Sequence, residues 1–378
     1  MLEATFLSDK PDEYPVLLRS DVKGGSFSSK VYWWEPHPWG SNNIFDYVPK
    51  ETLLTEDFFI IVDCSPDAVY QDFIERTYLW TIFQFFRDNK ISLKRLIVLT
   101  PSPEYLFMEK ERDYKHLFFS PFWFMIQKAY LKNDFTNLPK KNITKTYFTL
   151  MRKDTKSRCL LNYMLHKKEI HDKGFVTHNR VNPKEILVDE VSLSSMLEEY
   201  PKIDQKVLLD KGLSKHVIDG NSIPTFNDRI FNDHQIRYSD LQFNLTSKTF
   251  LEVIVEPLNL DRMFFTEKTL KAFLTKSIFI MFNTQNSLKF LRGLGFKTFG
   301  ETLDESYDEI SNQFDRVSAF VDEIKRLSCL STIEQTELYI NNTEIVEHNF
   351  THFITQDWSF NLHNRIKRHI DETVFHSH

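Results

Sequence analysis

Glycine is scarce in this chain, nine in 378 residues, and none are arranged as G-x-G-x-x-G or as a phosphate-cradling P-loop. That removes the common dinucleotide and ATP-binding loops, which need glycine so that the backbone can approach phosphate closely. No two aspartates stand two apart, so there is no D-x-D of the kind that holds a divalent metal on a nucleoside diphosphate. H-E-x-x-H and G-x-S-x-G are also missing, which argues against zinc-protease and serine-hydrolase chemistry. Only three cysteines occur, Cys64, Cys159 and Cys329, far apart and without metal or redox spacing. No apolar run approaches the roughly 20 residues that span a bilayer. Residues 1–15 mix acidic and basic side chains and carry no apolar block, unlike a signal peptide. A soluble, reduced, cytoplasmic protein with no membrane span is therefore expected.

What is present points to two packed domains. The length is about two domains' worth, and the hydrophobic share is 41%, with 35 phenylalanines to fill cores. A net charge of −6 exerts no global pull toward nucleic acid or anionic lipid.

The stretch from Phe264 to Asp308 is the most ordered in pattern. Thr266 stands where a helix N-cap belongs, its hydroxyl able to accept a first-turn N–H. Leu270, Phe273 and Leu274 follow at the spacing of one buried helix face. The run 277–282 suits a strand covered on both sides, as in an α/β sheet. Such sheets bind ligands at the carboxyl ends of their strands, and the start of this helix offers Glu267 and Lys268 there.

Elsewhere the chain shows strand–helix–strand units. Residues 58–62 form an apolar strand ending at Asp63, 70–87 a helix, and 96–99 a second strand, which together make a βαβ unit. Residues 117–130 predict a further helix. The segment 32–40, with Tyr32, Trp33, Trp34 and Trp39 among prolines, reads as a loop or short extended piece. Its aromatics either stack a sugar or base, or cap the fold. A polar stretch, 133–142, marks the expected boundary between domains 1–142 and 143–378. The second domain restarts with a strand at 146–150, a helix at 157–170, strands at 175–177 and 249–255, and helices at the C-terminal end. The fold class expected is α/β, with two Rossmann-like domains facing a cleft.

Helix starts aimed at such a cleft suit a phosphate-bearing ligand. The cations available are Arg152, Lys153, Arg158 and Lys268; Arg158 can fork onto a diphosphate. First-turn N–H groups around Lys268 favour an anion as well, and Glu267 suits ribose hydroxyls. Taken one at a time these residues have plainer uses: Glu267 and Lys271 stand as a surface i, i+4 pair, and Arg158 as a solvated helix residue. Asp304-Glu305-Ser306-Tyr307-Asp308 reads as a capping loop for a helix starting near Asp308 rather than as a metal site. His37, His178 and His348 have no ligand partners at motif spacing.

Phe265-Thr266-Glu267-Lys268-Thr269, followed by an apolar strand, resembles the Y-V-T-E-K-L block of α-1,3-fucosyltransferase-like enzymes. Tyr147 to Leu150, Arg158 and Asp172-Lys173-Gly174 resemble the strand, arginine-led helix and aspartate-x-glycine turn of the same family. Gly295 to Phe299, Asp304 to Asp308 and His348-Asn349 are more similar to glycosyltransferase-like proteins of large phages and other DNA viruses. The resemblance covers about 143–350. It implies a GT-B-type enzyme that uses no metal or other cofactor and takes a nucleoside-diphosphate sugar. Thr266, Glu267, Lys268, Arg152 and Arg158 would line the donor site. The family's Asn-Ser pair ahead of T-E-K is absent, with Val255-Glu256-Pro257 in that region, and Arg152-Lys153 replaces its Ser-Asn. Donor sugar and acceptor, a glycan or a modified base in DNA, therefore stay open.

An inverting enzyme of this kind needs a base for the acceptor hydroxyl. Asp63, at a strand's carboxyl end, is the first choice, with Glu35 and Asp67 behind it; Asp63 serves equally well as a turn cap over Ser65-Pro66. The rival expectation is a non-catalytic binding or structural protein using the Trp33–Trp39 aromatics. Arg365-Ile366-Lys367-Arg368-His369 adds thin support for a DNA acceptor.

Overall fold

The computed structural model describes residues 4–7, 29–34, 43–64, 71–100, 114–120, 123, 126–127, 130–131, 140–151, 156–178, 197–204, 206, 243–256, 263–358 and 361–375. The chain divides into two compact units, Met1–Gln127 with Asp357–His378, and Lys128–Gln356. Each is α/β and carries one parallel sheet.

In the first unit, β1 (Ala4–Leu7), β2 (Lys30–Trp34), β3 (Phe58–Asp63), β4 (Leu96–Thr100) and β5 (Lys115–Phe118) lie side by side in chain order. All four pairings are parallel. Parallel neighbours taken in order require crossovers of one hand, so their connections fall on one face of the sheet. Helix α1 (Gln71–Asp88), between β3 and β4, lies there and packs Leu79, Ile82, Phe85 and Phe86 against Tyr32, Trp34, Ile60, Val62 and Val98. The alternate residues Val31, Trp33, Phe59, Ile61, Ile97 and Leu99 point the other way. A parallel sheet cannot leave that second face in water. The last helix of the chain, Leu362–Phe375, covers it with Leu362, Ile366 and Ile370 at i, i+4, i+8.

Two expectations are corrected here, and one alternative left open is decided. The C-terminal helix belongs to the first unit, not to a domain 143–378, because its apolar stripe is what closes the first sheet. Residues 117–118 end strand β5 rather than open a helix, since Leu117 and Phe118 pair with Leu99 and Thr100. Trp33 and Trp34 sit in the core strand β2, 6% and 0% exposed, and offer no stacking surface. Trp39 lies outside the described residues.

In the second unit the order is β7 (Gly174–His178), β6 (Lys145–Met151), β8 (Thr249–Val255), β9 (Ile278–Phe282), all parallel. The chain moves outward from β6 in one direction to β7, then returns past it to β8. The β6–β8 junction is thus a topological switch point, the place where sheets of this kind hold ligands, beyond the strands' carboxyl ends. Helix α2 (Lys156–Lys167) follows β6, and α3 (Glu267–Leu274) follows β8. Then come α4 (Ser287–Gly293), α5 (Gln313–Ser328), α6 (Thr332–Asn341) and α7 (Thr343–Thr355). On α7 the buried positions are Val346, Asn349 and Phe353.

If the last helix is what closes the first sheet, Ile366→Ala should destabilise that unit by about 2–5 kcal/mol, the range for truncating a buried isoleucine. Amide exchange should quicken in β2 to β4 and stay unchanged in β6 to β9; equal loss in both sheets would contradict the assignment.

Candidate functional site

The second sheet's carboxyl edge is built around Glu256, the residue directly after β8, which is 0% exposed. Its Oε1 accepts the Thr266 backbone N–H at 2.9 Å and the Thr269 hydroxyl at 2.6 Å, and its Oε2 accepts the Thr266 hydroxyl at 2.5 Å. One strand away, Asn283 follows β9 and donates its Nδ2 to the Phe264 carbonyl at 2.9 Å, holding the approach to α3. Burial pushes the Glu256 carboxyl up, while Lys268 and the two threonines pull it back toward the charged form.

Thr266 is the N-cap of α3, as its position in the sequence predicts. Its backbone is extended, and Oγ1 accepts the Lys268 N–H at 3.3 Å. The same oxygen accepts from Lys268 Nζ at 3.3 Å. Lys268 Nζ also donates to Glu267 Oε1 at 2.8 Å, both side chains being mostly buried. Burial alone would raise Glu267, but Lys268 and Lys271, with a bond from Lys268 and one from its own backbone N–H, hold it down at about 2. Backbone donors expected to attract an anion here are thus engaged by the protein's own oxygens at Thr266, Glu267 and Lys268. The cation that remains at this turn is the Lys268 ammonium, and the pairing partner of Glu267 is Lys268 rather than a surface i, i+4 contact.

The opposite end of α3 is tied to the same strand. Glu252 sits four residues before Glu256, hence on the same face of β8, and its Oε2 accepts the hydroxyl of the C-cap Thr275 at 3.2 Å. Burial raises Glu252, opposed by the charges of Lys141 and Lys271. Burial likewise lowers Lys141, whose Nζ donates to the carbonyls of Thr246 and Thr249 at 2.7 and 3.0 Å. Eight helical residues rise about 12 Å and four strand residues about 13 Å, so the two glutamates match the two ends of the helix.

Arg158 lies in the first turn of α2 and is 4% exposed, so it is a buried residue, not a solvated one. It and the Thr266–Lys268 turn begin helices that follow adjacent strands, β6 and β8. Arg152 and Lys153, between β6 and α2, are outside the described residues. Asp63 ends β3 in the first unit, half-buried, and its Oδ2 accepts the Trp33 indole N–H at 3.0 Å. Glu35, Asp67, Ser65, Pro66 and His37 are outside the described residues.

The acidic loop is scaffolding, but it caps a different helix from the one expected. Asp308 accepts the N–H groups of Ser287 and Leu288 and the Ser287 hydroxyl at 2.8–3.1 Å, so it caps α4 upstream. Glu305 accepts from Phe299 N, Thr298 Oγ1 and Arg292. Helix α5, which comes next, is capped by Asn312. His348 and His352 place Nε2 at 2.9 and 2.8 Å from the Gly295 and Leu294 carbonyls, and Asn349 brackets both the N–H and C=O of Lys297. Gly295 has φ +93, and a Cβ there would come within 2.6 Å of the His352 ring. The Gly295–Phe299 and His348-Asn349 signals therefore meet as one structural clamp.

Glu256 is the residue that sequence reasoning passed over. Its signal was present: a glutamate closing an apolar strand, four residues after another glutamate in the same strand.

A folded-state value for Glu267 below its unfolded one means its stabilisation is complete above about pH 4.5 and is lost as pH falls toward about 2. Urea unfolding of Glu267→Gln should therefore show a deficit at pH 6 that shrinks steadily below pH 4.5; a deficit independent of pH would show that the charge is not what stabilises the turn.

Comparison with protein-family models, with curated proteins and with solved structures finds no match to this chain.

Proposed function

We propose that this chain is a metal-independent glycosyltransferase of GT-B type, moving a sugar from a nucleoside-diphosphate sugar to an acceptor hydroxyl. The observation that carries the reading is the Glu267–Lys268 pair at the start of α3, held at the carboxyl end of a switch-point strand by a buried carboxylate. Resemblance of Thr266-Glu267-Lys268 and Arg158 to the fucosyltransferase-like donor blocks supports it. In this reading Glu267, kept ionised, accepts the ribose hydroxyls. Lys268 and Arg158, together with Arg152, offset charge that grows on the departing diphosphate, stabilisation that other enzymes obtain from a metal. Lys268 would share its ammonium between Glu267 and the diphosphate. Asp63 would take the proton from the acceptor hydroxyl; the acceptor is a glycan or a modified base in viral DNA, and the setting is cytoplasmic. Among the described residues no helix is long and apolar enough to cross a membrane. The rival, a non-catalytic protein that recognises glycans through exposed aromatics, loses Trp33 and Trp34 to the core.

Calorimetric titration with the nucleoside-diphosphate sugars UDP-glucose and GDP-mannose tests the proposal. One of them should bind, and Glu267→Ala should weaken it about tenfold or more, the cost of a lost charged hydrogen bond. Asp63→Asn should keep donor binding and lose turnover. Absence of binding to every nucleotide sugar, or binding indifferent to Glu267→Ala, would overturn it.

A further inference from the structure

A threonine N-cap is sufficient by itself to start a helix, so the added carboxylate of Glu256 calls for a separate reason. A charge that is fully buried is costly unless donors match it. Here three donors do so, two of them from Thr266 and one from Thr269. The consequence reaches past the helix start. Because the Thr266 hydroxyl gives its proton to Glu256 Oε2, its lone pairs turn outward, where they receive Lys268 N and Lys268 Nζ, each at 3.3 Å. Lys268 Nζ then reaches Glu267 Oε1 at 2.8 Å. The result is one continuous chain of hydrogen bonds, Glu256 to Thr266 to Lys268 to Glu267, running from the end of a core strand to the two side chains of the candidate site. The charges acting on Glu256 are Lys268 and Glu267, both of this chain of bonds. Lysine carries a long, flexible stem, and this arrangement removes much of its freedom before any ligand arrives.

We propose that Glu256 is the positioning residue of the donor site, aiming the Lys268 ammonium at the donor's diphosphate through the Thr266 hydroxyl. The inference rests on the nucleotide-sugar reading above. It also assigns the preference for an anion to a fixed side-chain cation rather than to the backbone N–H groups of α3.

The test uses the full chain with Glu256→Gln, Thr266→Val and Thr266→Ser, and UDP-glucose and GDP-mannose as donors. Valine keeps the shape of threonine and removes the hydroxyl; serine keeps the hydroxyl. In slow donor hydrolysis, Glu256→Gln and Thr266→Val should raise donor KM about tenfold and also lower kcat, because a misaimed Lys268 no longer offsets the charge that grows on the leaving diphosphate, while Thr266→Ser should bind as the parent does. A merely structural role would lower kcat alone, through loss of folded enzyme, and leave KM as it is. The second readout is the 15N signal of the Lys268 ammonium, which should be protected from solvent exchange in the parent and in Thr266→Ser. In Glu256→Gln and Thr266→Val that protection should be lost. Unchanged KM and unchanged ammonium protection in Thr266→Val would overturn the proposal, even if Glu256→Gln failed to fold. If the parent binds no nucleotide sugar, the donor reading falls, and with it the assignment to a donor site. The ammonium signal then decides alone whether Glu256 positions Lys268.

Discussion

Two glutamates buried on one face of β8 hold the two ends of α3, and the second unit depends on that arrangement. Glu256 takes the N-cap threonine and Glu252 takes the C-cap threonine. Each carboxylate leaves water at a cost of several kcal/mol, a cost that hydroxyl donors and nearby lysines offset. A glutamate that lost its threonine hydroxyl would lose a donor in a site closed to water, so strand and helix favour a single relative placement. Packing alone would allow a short eight-residue helix to slide or tilt by a fraction of a turn. Directional bonds at both ends prevent it, and the position of Glu267 and Lys268 follows.

The first unit answers to a different constraint. Its five parallel strands run in chain order, so the crossovers gather on one face and the other stays open. The chain leaves the second unit and returns with its last helix to close it. Ile366 and Ile370 are each fully buried in that cover, and Arg365 donates to the Phe118 carbonyl at 3.2 Å. The basic run around Arg365–His369 consequently has structural work: His369 Nε2 is 2.8 Å from the Lys94 carbonyl, and Lys367 pairs with Asp371. A charge run that suggested nucleic acid is largely the polar side of a covering helix.

Much of the local structure was legible in residue order. Strands β3, β4, β6, β8 and β9 were recognisable because parallel strands buried on both faces leave continuous apolar runs, and the Thr266 cap because its neighbours repeat at helical spacing. Strand β2 was left open between a loop and a short extended piece, because Trp33, Trp34 and the prolines after them carry the composition of a loop; pairing between β1 and β3 makes Lys30–Trp34 a core strand. Strand β5 was missed for a similar reason, since four residues are too few to display a period. Of the candidate site, Thr266, Glu267 and Lys268 were visible because they are adjacent. Glu256 was not, because a lone carboxylate after a strand looks like the start of a loop until the hydroxyls it receives are folded over it.

By itself, then, the order of residues determined strands β3, β4, β6, β8 and β9, where α3 begins, and which side chains stand at its first turn. Those properties depend on contacts within a few residues, and local periodicity and capping encode them. Tertiary structure alone decided that the last helix serves the first sheet, that Asp308 caps a helix twenty residues upstream, and that Glu256 and Glu252 hold α3. Each of these joins groups distant in sequence, through burial and directional hydrogen bonds that exist only once the strands have been brought side by side. The same physics engaged the backbone N–H groups of Thr266, Glu267 and Lys268 and left the Lys268 ammonium, fixed through Thr266, as a charge this turn presents.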